Sequence, residues 1–416
     1  MSIGFSFQSG PCAPEKIREL FLILKNMSKK HDVEFLGSGN FDDAVFIHFC
    51  KAGDIVFWYE DGILRGDCQT NAAGPGFHAA AVDFLDVFMV KSKLDVLVDD
   101  ETDYYSHRDF EKMRREHFYN WLDNLVQAVY EQFQGAEVGN VFICWGPEQY
   151  EPIDIPNTVV TPVGRFSMKN LLIRAKEIDT FAGDFFIWNS REKDARFYRN
   201  SALSMLWEDC FFMPSRRSPP DKKVNQDILW HLEKAMKMDS SLPFPVAEYL
   251  EICNLAGSKP KSVANLAAYE SEFPVGYRKS DVHWRLGNLL LPFPGYFLYS
   301  KDRDGRDHVY HDNLEKNWYT YRMTALFGPE PQLDFDDDLF EGSAEPPETF
   351  PVKDGICRAS YSGKVKENGE EYCQIVAEIL SGNQVTLITV YFDEPENRVH
   401  VMDRLKGVLA NVKDDD

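Results

Sequence analysis

Hydrophobic positions along the chain change period several times, and each change marks an element. Ile3 to Phe7 alternates as a strand does. Pro14 then opens a stretch in which Leu20, Leu22, Leu24 and Met27 repeat at helical spacing, with proline placed where its missing N–H costs nothing. Ala44 to Lys51 and Ile55 to Glu60 read as two strands joined at Lys51–Asp54, and Asp61-Gly62 is a hairpin turn leading to a third strand from Ile63. Phe77, Ala80, Ala81, Phe84, Leu85 and Phe88 return to the helical period. Leu94 to Val98 follows as a short strand. Phe110, Met113, His117, Trp121, Leu125 and Val129 then predict one face of a long helix ending near Gly135.

Beyond residue 135 the pattern predicts a strand at Val141–Trp145 and helices at 167–176, 196–212, 224–238 and 245–256. Two strands follow, Leu289–Lys301 and His308–Tyr310, around Asp304-Gly305. Phe57-Trp58-Tyr59 and Phe185-Phe186-Ile187-Trp188 read as strand cores. Residues 331–350 hold seven acids, no base and three prolines, the composition of an exposed, protease-sensitive linker. Ile356–Lys366, Glu371–Leu380 and Val385–Phe392 form a meander turning at Asn368-Gly369 and Ser381-Gly382-Asn383. A terminal helix closes it, with Met402, Leu405, Val408 and Leu409 on one face.

The expected fold class is therefore α+β: antiparallel meander sheets with packed helices and a helix-rich middle region. The expected divisions are an α+β sheet-and-helix domain over 1–135, the helix-rich region over 136–330, the acidic linker over 331–350, and a β-meander plus C-terminal helix over 351–416.

Composition narrows the functional classes. With 416 residues, 44% hydrophobic and 27% charged, the chain is an ordinary multidomain globular protein. Forty-five basic against 67 acidic residues leave a net charge of −22. That sign argues against nucleic acid and against an anionic membrane surface as partners. The longest apolar run, Leu289 to Tyr299, is broken by Pro292 and Pro294 and is too short to span a bilayer. Met1 to Cys12 lacks the basic residue and apolar run of a signal peptide. The eight cysteines are far apart with no C-x-x-C pair, as in a reduced cytoplasmic protein without disulfide framework or zinc site. No metal and no cofactor are expected: P-loop, nucleophile-elbow, zincin and dinucleotide-binding signatures are absent from the sequence.

Three segments carry candidate chemistry. In Asn71-Ala72-Ala73-Gly74-Pro75-Gly76-Phe77-His78, Gly74 and Gly76 stand before a helix, where bare backbone and free N–H groups favour an anion and His78 can donate or accept a proton. A tight strand-to-helix turn accounts for the same residues. In Asp99 to Asp109, the side chains of Asp99, Glu101, His107 and Arg108 are of the types that hold a cation or a polar ligand. Here a helix cap, with Ser106 at N-cap and Asp109 at N3, explains the pattern equally. Asp302 to Asp312 resembles the start of an EF-hand loop, but without its terminal glutamate, and a charged hairpin tip fits it better.

Two functions compete on this reading. One is a cytoplasmic interaction protein of the immunity or adaptor type, whose acidic surface binds another protein, with a basic partner as the complementary case. The other is an enzyme with a site made by the Gly74–His78 turn and the Asp99–Arg108 loop. Convergence of those side chains in a deep pocket favours the enzyme; a wide acidic or aromatic face favours the binder.

Overall fold

The computed structural model describes residues 2–37, 44–133, 140–145, 150–151, 157–212, 219–301, 307–312, 318–325, 334–367 and 369–409. It is α+β, with several antiparallel sheets and packed helices. Two compact units divide the chain. The first comprises Met1–Trp145, Asp154–Cys210 and Lys222–Gly276; the second comprises Gly146–Ile153, Phe211–Asp221 and Tyr277–Asp416. Among the described residues no helix is long and apolar enough to cross a membrane.

The first unit begins with β1 (Gly4–Pro11) and α1 (Pro14–His31). Pro14 takes the first turn of α1. Ile17, Leu20, Phe21, Leu24 and Met27 are buried along one stripe, and Asp32 ends the helix in the left-handed region at φ 53°. Then come β2 (Glu34–Leu36), β3 (Val45–Cys50), β4 (Gly53–Glu60), β5 (Ile63–Gln69), α2 (Pro75–Ser92) and β6 (Val96–Asp100). At the β4–β5 turn Asp61 and Gly62 both have positive φ, 51° and 79°, which is why Asp-Gly suits it. The strands form one antiparallel sheet in the order β2-β3-β4-β5-β1-β6. Its inward positions, among them Phe5, Phe7, Val45, Ile47, Ile55, Phe57, Leu64 and Cys68, join the buried residues of α1 and α2 in one core.

The long helix expected after β6 is broken up. The chain makes α3 (Tyr104–His107), α4 (Phe110–Met113), a π-helical turn over Arg114–Tyr119, and α5 (Asn120–Phe133). The π turn inserts one residue into the helical count. The buried stripe therefore runs Met113, Phe118, Leu122, Val126, Val129 rather than through His117, Trp121 and Leu125. Trp121 and Leu125 instead help line an open groove of about 740 Å³ beside Gln69, Asn71 and Phe142, with no charged side chain among its walls.

The rest of the first unit is mostly helical. A three-stranded sheet, β7 (Val141–Phe142), β8 (Thr158–Thr161) and β9 (Gly164–Ser167), precedes α6 (Met168–Ala175), α7 (Ile178–Phe185), α8 (Ala195–Glu208), α9 (Pro219–Met238) and α10 (Val246–Ala256). Phe185-Phe186-Ile187-Trp188, expected as strand, ends α7 and continues as an irregular connector. These rings are buried as predicted, but they pack with helices, not in a sheet. The α8 core holds a buried Arg199, 1% exposed, whose guanidinium lies 2.6 Å from Asp184 and bonds Asn200. The pair satisfies a charge that would otherwise be very costly there.

In the second unit β10 (Asp281–Leu286) pairs with β11 (Leu289–Pro294). Strands β12 (Leu298–Lys301), β13 (Asp307–His311), β14 (Trp318–Ala325), β15 (Glu348–Val352), β16 (Gly355–Glu367), β17 (Glu370–Ser381) and β18 (Gln384–Phe392) form a sheet in the order β12-β13-β14-β18-β17-β16-β15. The terminal helix α11 (Arg398–Lys406) buries Val401 and Leu405 against it. The expected linker differs where it is described. Residues 334–350 carry a short 3-10 turn at Asp337–Phe340 and the start of β15, inside this unit. Asp336 N–H donates to Glu378 at 2.9 Å, Arg358 pairs with Asp337, and Glu345 pairs with Arg398. The acids that suggested a solvated linker are partly matched by bases from distant strands and helix, which sequence-local reasoning does not see.

Glu378 is buried within β17. Burial pushes its carboxyl up, more than the Asp336 N–H and Arg358 pull it down. A carboxylate raised in this way costs stability at neutral pH, where it must ionise in the folded state. Glu378→Gln is thus expected to keep or raise the urea midpoint at pH 7, since its amide oxygen still accepts from Asp336. Glu378→Ala should lower stability by about 1–3 kcal/mol by leaving that N–H unmet. A Gln variant clearly weaker than the parent contradicts this account.

Candidate functional site

The Gly74–His78 turn sits at the start of α2, where Gly74 has φ 103°. Its bare backbone is approached closely, but by the chain itself. Gly76 N–H donates to the Trp188 carbonyl at 2.9 Å, and Trp188 N–H donates to Ala73 at 2.7 Å. A Cβ on Gly74 would come within 2.7 Å of Phe186 Cβ, and one on Gly76 within 2.1 Å of Trp188 Cδ1. The space expected for an anion holds the connector after α7.

His78 is fully buried. Its Nδ1 lies 3.2 Å from the Thr70 hydroxyl, whose own proton goes to the Ile3 carbonyl at 2.9 Å. Its Nε2 lies 3.2 Å from the Thr102 hydroxyl and 3.3 Å from Asp100. Both ring nitrogens face oxygen atoms. Phe5, Tyr104 and Phe118 pack edge-on around the ring. Asp100 accepts from Tyr105 N–H at 2.7 Å, Thr102 N–H at 2.9 Å and Thr102 hydroxyl at 2.8 Å. Burial alone would raise its carboxyl, but His78 and these donors hold it down to about 2.

The other candidate residues do not join His78. Asp99 points to the opposite face of the sheet from Asp100, as strand alternation requires. Glu101 clips the strand end by accepting from Gly4 N–H at 2.9 Å. His107 is exposed at the end of α3. Arg108 lies 2.7 Å from Asp86 and 3.6 Å from Asp83 on α2, and stacks on Tyr105 at 5.0 Å. Asp83 is shared with Arg191 at 2.5 Å. The cap also differs from the expected one: Asp109, not Ser106, is the N-cap, and its side chain accepts from Lys112 N–H at 3.0 Å. Residues 302–306 of the third motif lie outside the described residues. Its His308 approaches the Tyr299 hydroxyl at 2.9 Å. Among the described residues no group of three or more His, Cys, Asp or Glu could hold a metal ion. All eight cysteines are free thiols, seven of them buried.

What sequence reasoning missed is the outward face of the six-stranded sheet. Register places Leu36 beside Phe46, Phe46 beside Val56, and Val56 beside Asp67, with Ser6 between Asp67 and Asp99. The neighbouring row runs Trp58, Arg65, Gln8, Leu97. Leu36 is 43% exposed, Phe46 40% and Leu97 69%. A shallow cavity of about 280 Å³ opens between Trp58, Gln8, Leu97 and Asp99. Glu34, Asp54, Glu60, Asp67 and Asp99 stand on this face against the single Arg65, with His48 bonded to Asp54 at 2.8 Å. The signal was present in the alternation: Phe46, Val56 and Trp58 fall between positions that also had to be buried.

No protein-family model matches the chain, and no curated protein matches it either.

Two outcomes test whether the His78 network is structural. Lowering the pH from 4 to 2 should remove about 2 kcal/mol of stability, because a depressed carboxyl contributes above its unfolded pKa and stops contributing as pH falls through the folded one. Asp100→Asn should lose about that amount at pH 7, with a flatter acid limb in a urea–pH series. Gly76→Val should cost at least about 2 kcal/mol by displacing Trp188. A Gly76→Val protein with the parent's melting temperature contradicts the packing.

Proposed function

We propose that this chain works as an interaction protein in the cytoplasm, binding a basic partner protein on the outward face of its six-stranded sheet. The observation that carries the reading is the apolar stripe Leu36–Phe46–Val56–Trp58 on that face, bordered by five carboxylates and one guanidinium. An antiparallel sheet open to water on one side normally alternates apolar-in and polar-out. Aromatic and aliphatic side chains on the open side, rimmed by charge of one sign, have the composition of a protein interface with a desolvated centre and a polar rim.

Charge complementarity selects the partner. Carboxylates ringing the stripe accelerate and orient the approach of a basic surface. A second copy of this chain would bring the same carboxylates face to face, which disfavours self-association there. The net charge of −22 acts in the same direction at longer range. This is the charge logic of an immunity or adaptor protein. The enzyme alternative has less support. Gly74 and Gly76 are covered by Trp188, His78 is enclosed, and Asp99, Glu101, His107 and Arg108 do not converge on it.

A photo-reactive phenylalanine analogue at position 58 tests the reading in native extract. The expected result is covalent capture of one basic protein, weakened by added salt and abolished by Asp67→Lys with Asp99→Lys. The same probe at Tyr130, on α5, should not capture it. Equal capture from both positions, or capture indifferent to the charge reversal, overturns the assignment.

A further inference from the structure

The six-stranded sheet has two edges, and they are not alike. At one, β2 has only three residues, which leaves an incoming strand little to pair with. At the other, β6 has five, and among the described residues no strand pairs with its outer side. The bonds to β1 fix which backbone groups of β6 are left over. Gly10 N–H donates to the Asp95 carbonyl at 3.3 Å, and Glu101 N–H donates to the Gly4 carbonyl at 3.3 Å. Bonded positions of an antiparallel pair recur at every second residue. In this register Asp95, Leu97, Asp99 and Glu101 bond to β1, while Val96 and Val98 turn their N–H and C=O away from the sheet. Asp100 turns the same way, but its carbonyl accepts from Asp103 N–H at 3.1 Å, which ends the run. Among the described residues, the N–H and C=O groups of the two valines meet no partner.

The side chains along this edge select what can join it. Val96 and Val98 point inward and pack on the core of the unit. Asp95, Leu97 and Asp99 alternate with them and are exposed. Leu97 and Asp99 also border the shallow cavity of the outward face, so edge and face are continuous. Asp83 and Asp86 on α2 are matched by Arg108 and Arg191, whereas among the described residues neither Asp95 nor Asp99 has an ion-pair partner. Two unmatched carboxylates thus flank one exposed leucine. A second copy of β6 does not suit this edge. The antiparallel self-pairing within β6 that uses both valines of each copy sets Leu97 opposite Leu97 and Asp95 opposite Asp99. Like charges directly opposite each other are destabilising.

We propose that the β6 edge takes up an extended basic segment of the partner protein as a seventh strand. This rests on the reading of the outward face given above and names the partner's contact at its rim. The N–H and C=O groups of Val96 and Val98 bond the backbone of the incoming segment, as in other cases of strand addition, and the side chains supply the selection. Three apolar residues lie opposite Val96, Leu97 and Val98. A lysine or arginine on either side of them lies opposite Asp95 and Asp99, where opposite charges stabilise the pairing. The pattern basic–apolar–apolar–apolar–basic reads the same in both strand directions.

The probe is a capped, fluorescein-labelled peptide with the core Lys-Val-Leu-Val-Lys, added to the full chain. Amide hydrogen exchange, read residue by residue, should find Val96 and Val98 fast in the free chain and slowed ~10-fold or more by the peptide. Leu97 and Asp99, bonded to β1, should be slow in both states. Val98→Pro removes an N–H that points out of the sheet, the position in a strand where proline is tolerated. It should weaken peptide binding ~10-fold or more in fluorescence anisotropy while the circular dichroism spectrum is kept. N-methylation of the peptide's pairing amides should weaken binding as much, and it tests the same bonds without altering the protein. No binding to the parent, equal binding of the N-methylated peptide, or binding that leaves Val96 and Val98 fast overturns the proposal. Photo-capture from position 58 judges the face separately. Its absence in the parent overturns the face reading, whereas capture undiminished in Val98→Pro overturns only the edge.

Discussion

The first unit depends on a pair of backbone hydrogen bonds between the start of α2 and the connector after α7. Gly76 N–H and Ala73 C=O meet the carbonyl and N–H of Trp188, and two missing Cβ atoms make the approach possible. The contact satisfies helix-start groups that would otherwise be orphaned in the core. It also seats the Trp188 indole, over which Lys193 stands, and sets the end of α2 that carries His78. Glycines placed before a helix suggest a ligand's approach, but here the ligand is another part of the same chain.

The His78–Asp100 pair belongs to the same region and shows how a buried charge is tolerated. Thr70, Thr102 and two backbone N–H groups complete the hydrogen bonding that a lone pair of ions in a core would lack. This pair ties β6 to α2, while Glu101 ties the end of β6 to β1. With its polar groups directed inward at Asp100 and outward at Asp99, β6 serves both the core and the open face.

That open face carries the functional reading. Its inward neighbours are ordinary core side chains, whereas on the outward side Phe46 and Leu97 are exposed and Val56 and Trp58 half-buried. An apolar stripe next to a surplus of carboxylates is the feature on which the proposed basic partner rests.

The α+β class, α1, the β3–β5 meander with its Asp-Gly turn, and the β16–β18 meander were legible in the sequence, because period and turn chemistry act over a few residues. The interruption at Arg114–Tyr119 was not: one inserted residue moved the buried stripe from His117, Trp121 and Leu125 to Phe118, Leu122 and Val126, and only packing selects between the two phases. Nor was the docking of residues 334–350, whose matching groups Glu378, Arg358 and Arg398 are distant in sequence. Of the candidate site, the sequence alone determined that a glycine turn opens α2; it read Asp99 and Asp100 as loop beyond a strand ending at Val98, whereas β6 runs through Asp100 and turns the two to opposite faces. Tertiary structure decided the rest, namely that Trp188 fills the turn and that His78 is enclosed. Such facts depend on which distant segments share a few ångströms, and local periodicity does not encode that.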